Sequence, residues 1–113
     1  MKLIIAGGRE FTDYNRLVET MSRLNLPVST VISGKARGAD TLGERWAKEN
    51  GIKLEIYPAQ WDKYGKRAGY IRNEQMAEVA DAVVAFWDGK SRGTQHMINY
   101  AKTKGLKVYV ENY

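Results

Sequence analysis

The chain opens on an apolar run, KLIIA (2–6), that stops at Gly7-Gly8. A continuous run with no polar alternation predicts a strand buried on both faces. Leu17, Val18, Met21 and Leu24 then recur at helical spacing, and Pro27 marks the break after that helix. VSTVIS (28–33) is rich in β-branched residues and ends at Gly34, which predicts a second strand. Beyond Gly38 the pattern turns helical again. Thr41 and Glu44 have capping-box spacing, Leu42 and Trp46 share a face, and Gly51 suits the C-terminal cap. KLEIY (53–57) alternates and is closed by Pro58, so it predicts a strand nearer a sheet edge.

Residues 59–69 show no clear period and predict an ordered loop that could include a turn of helix. A helix is expected over 70–80, with Met76, Val79 and Ala80 inward. AVVAFW (82–87) is the most apolar strand. A last helix is expected from about Thr94 to Lys104, stopped by Gly105, and KVYVE (107–111) is the final strand. No internal repeat, low-complexity tract or linker interrupts the series. Strand and helix alternate throughout, which predicts one α/β domain over residues 1–113. The expected architecture is a small Rossmann-like three-layer sandwich, a mainly parallel sheet of about five strands with helices on both faces. Ligands of such sheets bind outside the carboxyl ends of the strands, at the switch point.

Composition narrows the classes of function. At 43% hydrophobic and 27% charged residues the chain reads as a soluble globular domain. No apolar stretch approaches the roughly 20 residues that span a bilayer, so no membrane partner is expected. The N-terminal run is too short for a signal-peptide core. The absence of cysteine excludes disulfides, Cys-ligated zinc and thiol nucleophiles, and fits a cytoplasmic location. A net charge of +5 favours an anionic partner, either nucleic acid or a phosphorylated small molecule.

The glycines and charges choose between these two. Gly7, Gly8, Gly34, Gly38, Gly65, Gly69, Gly89 and Gly93 all fall in segments that follow an expected strand and lead into a helix. Glycine at one such place means turn geometry, but several loops of this kind on one sheet edge point to a binding site. The same segments hold nine basic residues and six acidic ones. That mixed surface differs from the one-sign stripe of a protein that follows a long phosphate backbone. It suits a compact ligand with phosphates, for arginine forks, and hydroxyls, for carboxylates. Gly93 and Thr94 open a helix after an apolar strand, and free N–H groups at a helix start bind phosphate.

Read in order, the motifs are GGREF-x-D (7–13), SGKARGAD (33–40), PAQW (58–61), AG-x-IRN-x-x-M (68–76) and DGKSRGT (88–94). With these motifs the chain resembles the YspA-like, cpYpsA-related branch of the SLOG superfamily, from its first strand to its last. That superfamily includes the LOG phosphoribohydrolases and the Rossmann domain of the DNA-processing protein DprA. The resemblance implies a Rossmann-like pocket for a nucleotide or nucleotide-derived ligand. It implies ligand-binding roles for Gly7, Gly8 and Arg9 after the first strand. Ser33, Gly34, Lys35, Arg37, Gly38 and Asp40 follow after the second. Arg72 and Asn73 lie at a helix start, and Asp88, Gly89, Gly93 and Thr94 form the phosphate loop. Arg9, Arg37 and Arg72 are expected to converge on an anion. A homodimer is also plausible from the resemblance, and no cofactor or metal is expected.

The chain departs from the LOG pattern PGG-x-GT-x-x-E. Asp88 replaces the first paired glycine, Trp87 replaces the proline, and Met97 stands where LOG has its catalytic glutamate. A thioether cannot take a proton and suits packing beneath the loop. His96 is the one histidine, but it points about 100° away from position 97 around the helix. It is expected at the surface or against ligand, not as a base. Asp13 and Asp40 read as helix caps, and Asp88 as shaping its own turn. Trp46 and Trp87 read as core, whereas one of Trp61, Tyr64 and Tyr70 could stack on a base. The leading expectation is a binding module that senses, sequesters or carries a nucleotide or nucleotide-derived ligand, for example an ADP-ribose-like one. The alternatives are an enzyme that cleaves an N-glycosidic or phosphate bond with a non-LOG residue set, and a DprA-like DNA-binding module.

Overall fold

A computed structural model describes all of residues 1–113. Five strands form one sheet: β1 (Lys2–Gly7), β2 (Thr30–Ser33), β3 (Lys53–Ile56), β4 (Ala82–Trp87) and β5 (Lys107–Asn112). Their order is β3-β2-β1-β4-β5, and every pairing is parallel. The helices are α1 (Tyr14–Leu24), α2 (Ala39–Glu49), α3 (Trp61–Tyr64), α4 (Ala68–Val79) and α5 (Arg92–Thr103). This is the α/β, Rossmann-like architecture that the alternating pattern implied. No helix is long and apolar enough to cross a membrane.

The strand period of two divides the core into two layers. Leu3 and Ile5 of β1 pack with Leu17 and Met21 of α1 and Ala39 and Ala47 of α2. Ile4 and Ala6 face the other way, against Met76 of α4 and Met97, Ile98 and Ala101 of α5. A strand sandwiched between helix layers has no solvent face, which is why its sequence is apolar without alternation. Gly43 lets α2 settle on the sheet, because a Cβ there would press on the side chain of Ile5. β3 lies at the sheet edge, as its alternation and Pro58 indicate.

The chain builds outward from β1 through β2 to β3, then crosses to the opposite side of β1 and adds β4 and β5. The direction of winding reverses between β1 and β4. Their following loops therefore part, and a crevice opens at their carboxyl ends.

Several local expectations are corrected. Helix α2 starts at Ala39, not near Thr41, so the capping box does not form. The Thr41 hydroxyl donates to the Ala36 carbonyl instead, and Glu44 is buried, accepting from the Ser33 hydroxyl at 2.7 Å. The 59–69 segment is more helical than its pattern suggests: α3 leads through a 3-10 turn (Gly65–Arg67) into α4, which takes in Gly69. Val79 is 40% exposed, not inward, while Met76 and Ala80 are buried. Helix α5 starts at Arg92, two residues before Thr94.

Candidate functional site

The end of β1 is fixed by its neighbours. The Gly8 N–H donates to the Phe86 carbonyl of β4 at 3.1 Å. The Gly8 carbonyl accepts from Phe11 and from Ala39, the first residue of α2, at 3.2 Å each. A Cβ at Gly7 would strike the Phe86 carbonyl, and one at Gly38 would strike the Gly8 carbonyl. Gly38 also has φ +77°, a conformation that L side chains rarely adopt. The β1 and β2 loops thus lean on each other through backbone, and glycine is what permits that approach.

The loop between β4 and α5 is braced differently. The Asp88 carboxylate accepts from the Lys90 and Ser91 N–H groups at 2.8 Å each. Those bonds hold the Asp88 carboxyl below its ordinary value, as expected where the charged form is the bonded one. Ser91 then caps α5, its hydroxyl accepting from the Thr94 N–H, while its carbonyl accepts from the Trp87 indole at 3.1 Å. The Ser91 cap serves Thr94 and leaves the N–H groups of Arg92 and Gly93 without an intrahelical acceptor. At Gly93 a Cβ would meet nothing within 4 Å.

Between these loops lies a cavity of about 440 Å³. Its walls come from the β1 end (Gly7, Gly8, Arg9, Glu10), from α4 (Arg72, Asn73) and from the start of α5 (Ser91, Gly93, Thr94), and it lies over the β1–β4 switch point. Arg9, Lys66 and Arg72 bring positive charge, and Glu10, Asp40 and Asp88 negative charge. Trp61, Tyr70 and Tyr113 add aromatic surface, and Met97 lies in the lining while only 1% exposed. The volume is in the range of small-ligand pockets, and the lining is mostly polar, with charges of both signs.

Arg72 is the hub of the polar wall. Its Nη1 donates to the Gly34 carbonyl of the β2 loop, and its Nε to Asn73 Oδ1 at 3.1 Å. Asn73 Nδ2 in turn donates to the Gly93 carbonyl at 3.1 Å, so the same chain of bonds reaches the α5 loop. Asp40 lies beneath, 5% exposed, accepting from the Ala36 N–H at 3.3 Å. Burial pushes its carboxyl up to about 6, against the pull of the Arg72 guanidinium. Burial also lowers the pKa of Arg72, opposed by Asp40 and reinforced by the neighbouring positive charge of Arg9.

Of the residues singled out in the sequence, the cavity gathers Gly7, Gly8, Arg9, Asp40, Arg72, Asn73, Asp88, Gly93 and Thr94. Gly34, Lys35 and Arg37 do not line it; with Arg9 and Arg72 they line an adjoining cavity. The three arginines therefore converge there and not over the switch point. Ser33 and Gly38 support the walls, Ser33 by bonding Glu44 and accepting from the Lys35 N–H. Gly89 does not line the cavity and, at φ +82°, turns its loop. Asp40 is not an N-cap but the second residue of α2, turned back onto the β2 loop. Asp13 does cap α1, its carboxylate accepting from the Arg16 N–H.

His96 lies outside the cavity. Its ring sits 4.6 Å from that of Tyr70, with Nε2 3.4 Å from Glu74 and Nδ1 3.4 Å from Asn73. It occupies the seam between α4 and α5. Lys66, Ser91 and Tyr113 were not expected in the lining. Ser91 had a readable signal, a serine three residues before Thr94, masked by the two glycines around it.

Comparison with known proteins adds a lineage. Residues 1–64 match the family model described as YspA, cpYpsA-related SLOG family. The chain is also similar to the Gene 61 protein of Mycobacterium phage D29, at 33% identity over 117 residues, covering 95% of this chain and 93% of the phage protein. No solved structure matches.

Proposed function

We propose that this chain, which belongs to the YspA, cpYpsA-related SLOG family, binds a nucleotide or nucleotide-derived ligand in the switch-point cavity and holds it intact. The observation that carries the reading is the start of α5. Its Arg92 and Gly93 N–H groups have no intrahelical acceptor, Gly93 lines the cavity, and the space a Cβ would fill there is empty. A phosphate fits such a helix end, and Arg9 and Arg72 lie in the same walls to take a second oxygen. The carboxylates of Glu10 and Asp88 suit ribose hydroxyls, and Trp61 or Tyr70 offers a face to a base or second ring. An ADP-ribose-like molecule has all of these groups. A sensor, sequestering or carrier module would use them without breaking a bond, and Met97 in the lining supplies no carboxylate for the LOG reaction.

One observation favours a second reading. Asp40 is a buried carboxyl in the cavity wall whose pKa is raised toward neutrality, a common property of general acids. On this reading the protein cleaves an N-glycosidic or phosphate bond. The test is incubation of the unmodified protein with nucleoside phosphates and ADP-ribose derivatives, followed by mass spectrometry of the bound and free fractions. Ligand retained and recovered whole is the expected result. Turnover that is lost on Asp40→Asn would replace the binding module with the enzyme.

A further inference from the structure

Beside the switch-point cavity lies a second one of about 450 Å³, walled by the β2 loop on one side and by Pro58 and Ala59, after β3, on the other. Arg9, Lys35, Arg37 and Arg72 all line it, and no carboxylate does. The two cavities share Arg9, Ala36, Trp61 and Arg72, so they form adjoining compartments of one cleft with two guanidinium groups on the boundary. Their characters differ. The first mixes acids and bases around the α5 helix start, whereas the second has cations, the Trp61 ring and backbone.

The charges of the second compartment are only partly answered. Lys35 reaches Glu44 at 3.7 Å but keeps a side chain 61% exposed, and Glu44 already accepts from Ser33. Arg37 meets Glu10 at 3.5 Å, both side chains largely in water. Arg9 stands close enough to Arg72 to disfavour its charge. The backbone of Lys35 is left-handed, at φ +61°, a costly conformation for a lysine and one that recurs at ligand sites. An anion between these groups would relieve the repulsion and accept several charge-assisted hydrogen bonds at once.

We infer that the second compartment is an anion subsite, and that the ligand carries two phosphate groups separated by a nucleoside unit, as in a short linear or cyclic dinucleotide. One phosphate sits at the α5 start and the other at Lys35 and Arg37, the two cations that line only the second compartment, with Arg9 and Arg72 on the boundary between them. The inference rests on the nucleotide reading of the first compartment. It adds a requirement that reading does not make: separation of the anionic groups, not merely their number.

The probes are ADP and the 5′-phosphorylated dinucleotide pApA, which have the same formal charge but contiguous and separated phosphates respectively. Calorimetric titration at one fixed ionic strength gives the ratio of their affinities. The wild-type protein should prefer pApA by roughly tenfold or more, the factor that a hydrogen-bonded charge typically contributes. In Lys35→Asn/Arg37→Gln the ratio should fall to near one; asparagine tolerates the left-handed backbone of position 35. A second measurement does not depend on any nucleotide. Inorganic phosphate should shift the backbone amides of 34–37 in a saturable way in the wild type and not in the double variant. Equal affinities for ADP and pApA in the wild type, or a preference that survives the double substitution, overturns the subsite while leaving the nucleotide reading intact. Failure of both nucleotides to bind overturns both.

Discussion

Gly38 and Gly93 both sit on the carboxyl edge of the sheet, in loops that lead into helices, yet the molecule uses them in opposite ways. Gly38 has a positive φ, and its missing Cβ is the space occupied by the Gly8 carbonyl. Gly93 has no such φ; it lines the cavity, and a Cβ there would meet nothing within 4 Å. The first glycine is explained by the unliganded fold. The unliganded fold does not call for the second, since a Cβ there would meet nothing within 4 Å. A Gly-rich edge therefore holds two populations, one whose missing Cβ is filled by a neighbouring loop and one whose missing Cβ leaves open space.

Substitution separates these populations by stability. Gly38→Ala should have the largest effect, on the order of 3–5 kcal/mol, from a strained backbone and a clash with carbonyl oxygen. That is a large part of the whole stability of a small domain. Urea denaturation checks it, and a loss below about 1 kcal/mol, the scale of a simple Gly–Ala propensity difference, would mean that the β1 and β2 loops are not locked together.

Asp40 gives an intermediate effect with a direction set by pH. Its folded pKa, about 6, lies above its ordinary value of 3.8, so the folded state holds a proton that the unfolded chain has released. Stability should therefore fall as pH rises from about 4 to about 6, by on the order of 2–3 kcal/mol, and then level off. Asp40→Asn should remove that slope, as read from denaturation midpoints across the same range. A slope identical in the two proteins would show that Asp40 ionises freely and that Arg72 and burial balance out.

The layers of the fold were legible because periodicity reports burial directly. Leu3 to Ala6 reads as a doubly buried strand, and the alternating KLEIY reads as an edge, because each pattern follows from which faces see water. The site was legible in outline, since Gly7, Arg9, Arg72 and Gly93 do share one cavity. What stayed hidden was pairing between distant residues. Glu44 looked like the partner of Thr41, three positions away, but it bonds Ser33 across the packed interface of α2 with β2. Asn73 lines the cavity as a site residue would, but its amide also links Arg72 to the Gly93 carbonyl, a bridge that no spacing announces. Local spacing carries capping and period; it carries no information on which of two polar residues a third element brings closer.

The sharpest test of the account is Gly93→Val, measured twice. Helix propensity and open space together predict a change in unliganded stability within about 0.5 kcal/mol, because valine in a first turn is no worse than glycine. Its branched side chain, however, stands where a phosphate would meet the N–H groups of α5. Calorimetric titration with pApA should show binding in the wild-type protein and none in the variant, with both equally folded by thermal melt. An equally folded variant that binds as tightly as the wild type would contradict the claim that the start of α5 holds the ligand.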